Sequence, residues 1–313
     1  MNQCLICAQK TEKNDKYHRK CLQELFDSMD APILEASLNE LHNLARKSVT
    51  QRVTVPGVQS KLSLEIKRKT KGADKLTIVG LWGRFILKPP SNIWPELPEN
   101  EHCTMLMAQA AGIETVPFGL IHLASGELAY ITRRIDRDDL GNKYAMEDMC
   151  QLTGRLTEDK YKGSHEQIAK VIKKYSANPL YDITRFFELV LFSYLTGNGD
   201  MHLKNFSLYK DPKLGWKLAP GYDLLSTRLA IPAEKDPEEL ALALTGKKSN
   251  LQPESFNEFG YTIGLNQKQI KNIIDKFLNR KTTFTETIEK SFLPEKMKES
   301  YKKITEQRFS LFD

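Results

Sequence analysis

From Lys61 the apolar residues alternate: Leu62, Leu64 and Ile66 are separated by Ser63, Glu65 and Lys67, the period of a strand with one buried face. KLTIVGLWGRFILKPP, residues 75–90, predicts two further β-rich runs broken at Gly83. The sheet is entered through TVPGVQSK, residues 54–61. Ahead of it, APILEASLNELHNLARKS sets Ile33, Leu34, Leu38, Leu41 and Leu44 on a helical stripe. From Pro98, PENEHCTMLMAQAAGI reads as a helix with Met105, Leu106 and Ala110 on one face and Gly112 as its stop. VPFGLIHLASGELAYITRRIDRD then returns to hairpin character around ASGE.

The chain from Met146 onward is predicted mostly helical. Ile183, Phe186, Phe187, Val190, Leu191, Tyr194 and Leu195 repeat at i, i+3, i+4, i+7, i+8, i+11 and i+12. Leu189 and Phe192 make the opposite face apolar too, so this helix is expected at the centre of its half, ending at Gly197. FSLY, a turn at KDPKLG, and WKLAP predict a hairpin, followed by GYDLLST. The pattern as a whole gives an α+β fold, a small sheet-rich half before a larger helical half. The expected division is a Cys-rich head at 1–30, a sheet-bearing N-lobe at 31–140 and a helical C-lobe at 141–313.

Composition sharpens this picture in a few respects. The 313 residues, 40% hydrophobic and 27% charged, can bury a substantial core. Net charge is +6, spread along the chain with local knots such as KRKTK at 67–71, which implies solvated faces and a surface suited to an acidic partner. No helix combines clustered Arg and Lys with a recognition motif, so direct DNA binding is not expected. The N-terminus lacks the apolar core of a signal peptide and no segment reaches the ~18 apolar residues of a membrane span, which makes the cytosol the expected location. Five cysteines, three of them within the first 21 residues, form no even disulfide framework and are expected as thiols.

Between the central helix and the hairpin lies NGDMHLKNFSLY, residues 198–209. Asp200 and Asn205 stand five residues apart and a second acid, Asp223, follows one hairpin later. Phosphoryl-transfer enzymes use this order: the first Asp accepts the substrate hydroxyl's proton, and the Asn and second Asp hold Mg²⁺ through hard oxygen ligands. Either acid alone could equally cap a turn or open a helix. Upstream, PGVQSK supplies a glycine ahead of a strand, and FILKPP ends an apolar strand on Lys88, which could also snorkel from a sheet edge. Glu101 on the following helix could pair with Lys88, as the strand lysine and helix glutamate pair in protein kinases, or stand solvated at the helix start.

The order GVQSK, FILKPP, ENEHCTMLMAQAAGI, RRIDR, EDMCQLTG, NGDMHLKNFSL and GYDLLS resembles HipA-type serine/threonine kinases, the toxins of bacterial toxin–antitoxin pairs. The likeness runs from about Thr54 to about Thr227. It implies a two-lobed protein-kinase-like fold, ATP and Mg²⁺ as cofactors, Asp200 as catalytic base, and Asn205 and Asp223 on Mg²⁺. It also implies nucleotide contacts from Gly57, Val58, Gln59, Ser60 and Lys61 in the loop, from Lys88, from Arg133, Arg134 and Ile135 at the hinge, and from His202, Lys204 and Tyr222 around the metal loop. His202 could equally make only a local loop hydrogen bond. The implied partners are a DNA-binding antitoxin, through which alone DNA is approached, and a translation component such as an aminoacyl-tRNA synthetase as substrate.

Two departures stand out. The phosphate loop begins by residue 54, which resembles the short, HipT-like form in which a separate small protein replaces an N-terminal subdomain. Where the family often keeps a self-phosphorylated serine, this chain has Thr54, which the resemblance makes the expected self-phosphorylation position, with Pro56 close behind.

The head, CLICAQKTEKNDKYHRKC, carries Cys4, Cys7, His18 and Cys21 as C-x2-C and H-x2-C, a set that can close a tetrahedral Zn²⁺ site or stand as ordinary thiols. Cys103 and Cys150 fall on predicted apolar faces and are expected in the core. Competing functional readings are a kinase of a small molecule or lipid headgroup, and a non-catalytic partner- or DNA-binding module on the same fold.

Overall fold

The computed structural model describes residues 2–12, 15–49, 60–70, 72–80, 82–138 and 140–313, the side chains of 45–49 excepted. They fall into two compact units. Unit 1 comprises Met1–Cys103, Val116–Lys143 and Lys290–Leu293; unit 2 comprises Thr104–Thr115, Tyr144–Glu289 and Pro294–Asp313.

Unit 1 holds α1 (Arg19–Phe26), α2 (Leu38–Val49), β1 (Leu62–Lys67), β2 (Lys75–Ile78), β3 (Phe85–Lys88), the start of α3 (Leu97–Ala110), β4 (Phe118–His122) and β5 (Leu128–Arg133). The five strands form an antiparallel sheet in the order β2-β1-β3-β5-β4. The alternation in β1 sends Leu62, Leu64 and Ile66 inward, where they meet Phe85, Leu87, Ala129 and Ile131. Leu22, Leu25 and Phe26 of α1 and Leu41 of α2 pack against this face. Gly83, where the two β-rich runs break, is a requirement of close approach: a Cβ there would lie 2.3 Å from the Leu64 carbonyl oxygen.

The stripe from Ile33 to Leu44 is helical only from Leu38. Ser37 N–H and Oγ–H both donate to Glu40 Oε2, 2.7 Å each, fixing the helix start there. Ile33 is drawn instead to the open edge of β2, donating to the Asp74 carbonyl at 2.9 Å and accepting from Leu76 N–H at 2.9 Å.

Unit 2 takes the rest of α3 and adds β6 (Met146–Asp148), α4 (Met149–Leu152), α5 (His165–Tyr175), α6 (Pro179–Leu195), β7 (Ser207–Asp211), β8 (Gly215–Leu218), α7 (Pro253–Thr262), α8 (Gln267–Leu278), α9 (Lys281–Glu289) and α10 (Glu295–Phe309). The region from Met146 is not helical at its outset: Met146–Asp148 pairs antiparallel with β7, and only then does Asp148 cap α4. A three-residue strand is too short to show a period. Beyond its exposed first turn α6 is largely buried, as its two apolar faces predict, with Phe186, Phe187, Phe192 and Tyr194 meeting rings of Phe206, Phe256, Phe259, Phe277 and Phe284. Gly197 ends it at φ +67, and a Cβ there would lie 2.9 Å from Arg228 Cβ.

His165 sits fully buried among Phe186, Phe206 and Phe259, and neither ring nitrogen has a hydrogen-bond partner. Burial pulls its pKa down to about 3. The unfolded chain therefore binds a proton that the folded one refuses as pH falls through the ordinary histidine value of about 6.5, and stability is lost downward across that window. His165→Leu is expected to raise stability by about 1 kcal/mol at neutral pH and by more at pH 5, because it removes an unsatisfied buried imidazole. Urea unfolding at the two pH values checks this; a variant less stable at both would show that the imidazole is favourably placed.

Candidate active site

In unit 1, Lys88 is the last residue of β3, the middle strand of the sheet, and lies opposite Tyr130 of β5. Its Nζ donates to Glu101 Oε1 at 2.6 Å, with the two side chains 4% and 1% exposed, and lies 5.3 Å from the centre of the Tyr130 ring. Glu101 is therefore no solvated helix-start residue. Ser60 and exposed Lys61 lead into β1, whose Leu62 faces Leu87, so Lys61 begins beside the end of β3 that carries Lys88. At the end of β5, Arg133 pairs with Asp27 at 3.0 Å, and Arg134 grips Asp136 through two bonds of 2.8 and 2.7 Å, with Ile135 half-buried between them. Thr54, Gly57, Val58 and Gln59 lie outside the described residues.

In unit 2, the loop after α6 is held by both backbone and side-chain bonds. Asn198 is buried; its N–H donates to the Ser193 carbonyl at 2.8 Å and its Oδ1 accepts the Asp200 N–H at 3.1 Å. Gly199 N–H donates to Thr227 Oγ1 at 2.8 Å. The Asp200 carbonyl accepts from His202 N–H at 2.7 Å and from Asn205 Nδ2 at 2.9 Å, so Asp200 and Asn205 are tied. The Asp200 carboxylate accepts one bond of 2.6 Å from the Tyr161 hydroxyl. Burial, reinforced by that bond, holds Tyr161 well above the usual phenol range.

His202 is 6% exposed, its Nδ1 has no hydrogen-bond partner, and the Tyr161 ring meets it edge-on with centres 5.1 Å apart. Burial pulls it below the ordinary histidine range; Lys160 acts the same way, and the carboxylates of Asp200 and Asp223 act against it. Both acids therefore lie within electrostatic reach of one neutral imidazole. Asp223 takes a left-handed backbone, φ 59, directly after Tyr222. The Tyr222 hydroxyl bonds Ser207 Oγ at 2.6 Å and the Lys204 carbonyl at 3.2 Å, which braces the Asp223 turn against β7. Lys204 Nζ is 2.9 Å from Asp148 Oδ2, and Asp148 also caps α4 through a reciprocal bond pair with Gln151, which accounts for the EDMCQ motif. From the other side, buried Asp182 of α6 accepts from Arg185, Ser176 and Leu218 N–H, fixing β8 just ahead of the Gly221–Asp223 turn.

Two carboxylates and an amide oxygen are hard-oxygen donors of the kind that suits Mg²⁺. The structure ties Asn205 to the Asp200 carbonyl in unit 2, with His202 within electrostatic reach of Asp200 and Asp223, and sets Lys88 against Glu101 in unit 1. Sequence reasoning missed Tyr161 and Asp148. Asp148 was visible as the cap ahead of α4; Tyr161 lies in an aperiodic stretch between α4 and α5 and gave no signal.

A sheet whose β3 lysine is ion-paired to a helix glutamate, together with a helical unit carrying an Asp-to-Asn loop and a second Asp after one hairpin, defines a protein-kinase-like fold. The HipA-like C-terminal domain matches residues 53–283, and the chain belongs to that family. It is 31% identical over 327 aligned positions to a putative kinase of Haemophilus influenzae, covering 94% of this chain and 93% of that protein. It is 27% identical over 212 positions to the serine/threonine-protein kinase toxin HipA of Shewanella oneidensis, covering 62% of this chain and 47%, about half, of that toxin. The solved HipA of Shewanella oneidensis, in complex with HipB and operator DNA, superposes with a TM-score of 0.69 at 22% identity, over 83% of this chain and 65% of that one. Among the described residues, no helix is long and apolar enough to cross a membrane.

Proposed function

We propose that the chain is an ATP-dependent serine/threonine protein kinase acting in the cytosol as the toxin of a toxin–antitoxin pair, with a translation component such as an aminoacyl-tRNA synthetase as its substrate. The observation that carries the reading is the Lys88–Glu101 pair. A buried ion pair is weak support for stability, since desolvation offsets most of its attraction, so a pair 2.6 Å long and almost wholly buried calls for a functional reason. Holding a cation for nucleotide phosphates is that reason.

In this reading Glu101 fixes the Lys88 ammonium, and Asn205 and Asp223 offer oxygen ligands to the metal. Bound Mg²⁺ supplies the positive charge that the transferring phosphoryl group requires. Asp200 takes the proton of the substrate hydroxyl; the hydroxyl oxygen forms its bond to the γ-phosphorus as the bond to the bridging oxygen breaks and ADP leaves. Tyr161, donating to Asp200, holds the carboxylate in one orientation. A DNA-binding antitoxin is the proposed partner, as HipB is bound with HipA in the Shewanella complex. A small protein standing in for an N-terminal subdomain is a second.

Incubation with γ-labelled ATP and a bacterial lysate tests the reading: label is expected in a discrete protein band. Label in the small-molecule fraction, or none, overturns the protein-kinase assignment. Asp223→Ala is expected to weaken Mg²⁺-dependent ATP binding more than Asp200→Asn does, because it removes a metal ligand. Equal Mg-ATP affinity of the two variants by calorimetry would remove Asp223 from the metal.

A further inference from the structure

The Cys-rich head converges on one point. One donor atom from each of Cys4, Cys7, His18 and Cys21 lies within 4.8 Å of all the others, and all three cysteines are free thiols. His18 Nδ1 is 3.3 Å from Cys7 Sγ and 3.9 Å from Cys21 Sγ. A tetrahedral zinc with sulfur at about 2.3 Å and nitrogen at about 2.0 Å sets its donors roughly 3.5–3.8 Å apart, so the spacing fits one ion. The second ring nitrogen, Nε2, lies 3.0 Å from the Lys10 carbonyl and donates to it, which leaves the Nδ1 lone pair facing the sulfurs, as an outer partner does for a ligating histidine. The C-x2-C loop is folded for the purpose: Ala8 N–H donates to the Cys4 carbonyl at 2.8 Å, Ala8 turns through φ 55, and Gln3 bridges Lys10.

The same loop is fastened to the rest of unit 1 through Leu5 and Ile6, between Cys4 and Cys7, and through Tyr17 just ahead of His18. Leu120 N–H in β4 donates to the Leu5 carbonyl at 2.7 Å, and the Tyr17 hydroxyl donates to the Leu120 carbonyl at 3.2 Å. Gly119 in β4 leaves no room between them, since a Cβ would lie 2.8 Å from Ile6 Cγ1. Buried His102 of α3 donates from Nε2 to the Ile6 carbonyl at 2.9 Å, one residue beyond Glu101.

We propose that Cys4, Cys7, His18 and Cys21 bind one structural Zn²⁺, and that the metal, by shaping the Cys4–Cys7 loop, clamps β4 and the first half of α3 next to Glu101. Three thiolates and an imidazole in a tetrahedral array select zinc over the hard cations. Because metal binding and the fold of such a loop are one equilibrium, losing the ion loosens the clamp. This inference stands independently of the kinase reading.

The test uses the full chain, purified without a histidine tag or chelator. Elemental analysis is expected to find one zinc per chain, released in full by a thiol-reactive mercurial, and almost none in the Cys7→Ser/Cys21→Ser variant. Chelator stripping is expected to raise amide hydrogen exchange across residues 2–26, at Leu120 and around His102, while α6 amides stay protected. Iron in place of zinc, zinc well below one per chain in the wild type, or wild-type zinc in the double variant would overturn the site. Unchanged exchange at Leu120 and around His102 after stripping would overturn the clamp. Should the double variant fail to fold, the wild-type stoichiometry and mercurial release decide the site by themselves.

Discussion

Asp200→Asn is expected to leave a folded protein that transfers no measurable phosphoryl group and no longer inhibits growth. The substitution keeps shape: the Asp200 N–H to Asn198 and the Asp200 carbonyl to His202 and Asn205 are backbone interactions that an asparagine retains. An amide oxygen can still accept from the Tyr161 hydroxyl, which now donates at 2.6 Å. What is lost is the negative charge that, in the proposed reading, takes the substrate's proton, and removal of a positioned base typically lowers rates by ~10²-fold or more. Label transfer from γ-labelled ATP, read beside circular dichroism and melting temperature, separates chemistry from folding. A folded Asp200→Asn protein that phosphorylates at the wild-type rate would exclude Asp200 as the base. Tyr161→Phe gives the graded companion result, since it leaves the charge in place and only frees its orientation.

The parts of the fold written in local periodicity were legible in advance. β1 alternates, the β4–β5 hairpin turns at Gly126 with φ +105, and α6 carries apolar residues on every side because it has neighbours on every side. Cys103 and Cys150, set by the pattern on apolar faces, are buried at 0% and 2% exposure. What failed was decided by distant partners. Ile33 reads as the start of a helix but is claimed by the edge of β2, and Met146–Asp148 is a strand only because β7 lies alongside. The same divide runs through the site. The tie between Asp200 and Asn205 is local, since the Asn205 amide bonds the Asp200 carbonyl within one loop. The Tyr161 hydroxyl meets Asp200 across 39 residues and Lys204 meets Asp148 across 56, and no local pattern records either encounter. The head is intermediate: its Cys and His spacing was visible, but its apolar support comes from Leu22 and Leu25 on α1, beyond the last cysteine, packing into the sheet core.

Lys88→Met is expected to weaken unit 1 by about 3–5 kcal/mol as well as to abolish activity, because it removes the ammonium 2.6 Å from a carboxylate that is 1% exposed. Glu101→Leu should do the same by removing the carboxylate beside the buried lysine. The two together, Lys88→Met with Glu101→Leu, should behave quite differently from their sum: both charges leave, two apolar side chains of similar length fill the space beside Tyr130, and stability should return to the wild-type level or above it. Activity should not return. A cation aimed at phosphate charge contributes on the order of 10²–10³-fold to rate when its removal is measured, and no apolar residue replaces it. Denaturant unfolding of the four proteins closes a double-mutant cycle in which the coupling of Lys88 and Glu101 appears as the excess of the summed single losses over the double loss. Measured beside label transfer, the cycle distinguishes a structural ion pair from one retained for chemistry. If the double variant recovers stability and activity together, Lys88 does not act on the nucleotide. If it recovers stability alone, the buried pair is maintained against its desolvation cost for the reaction.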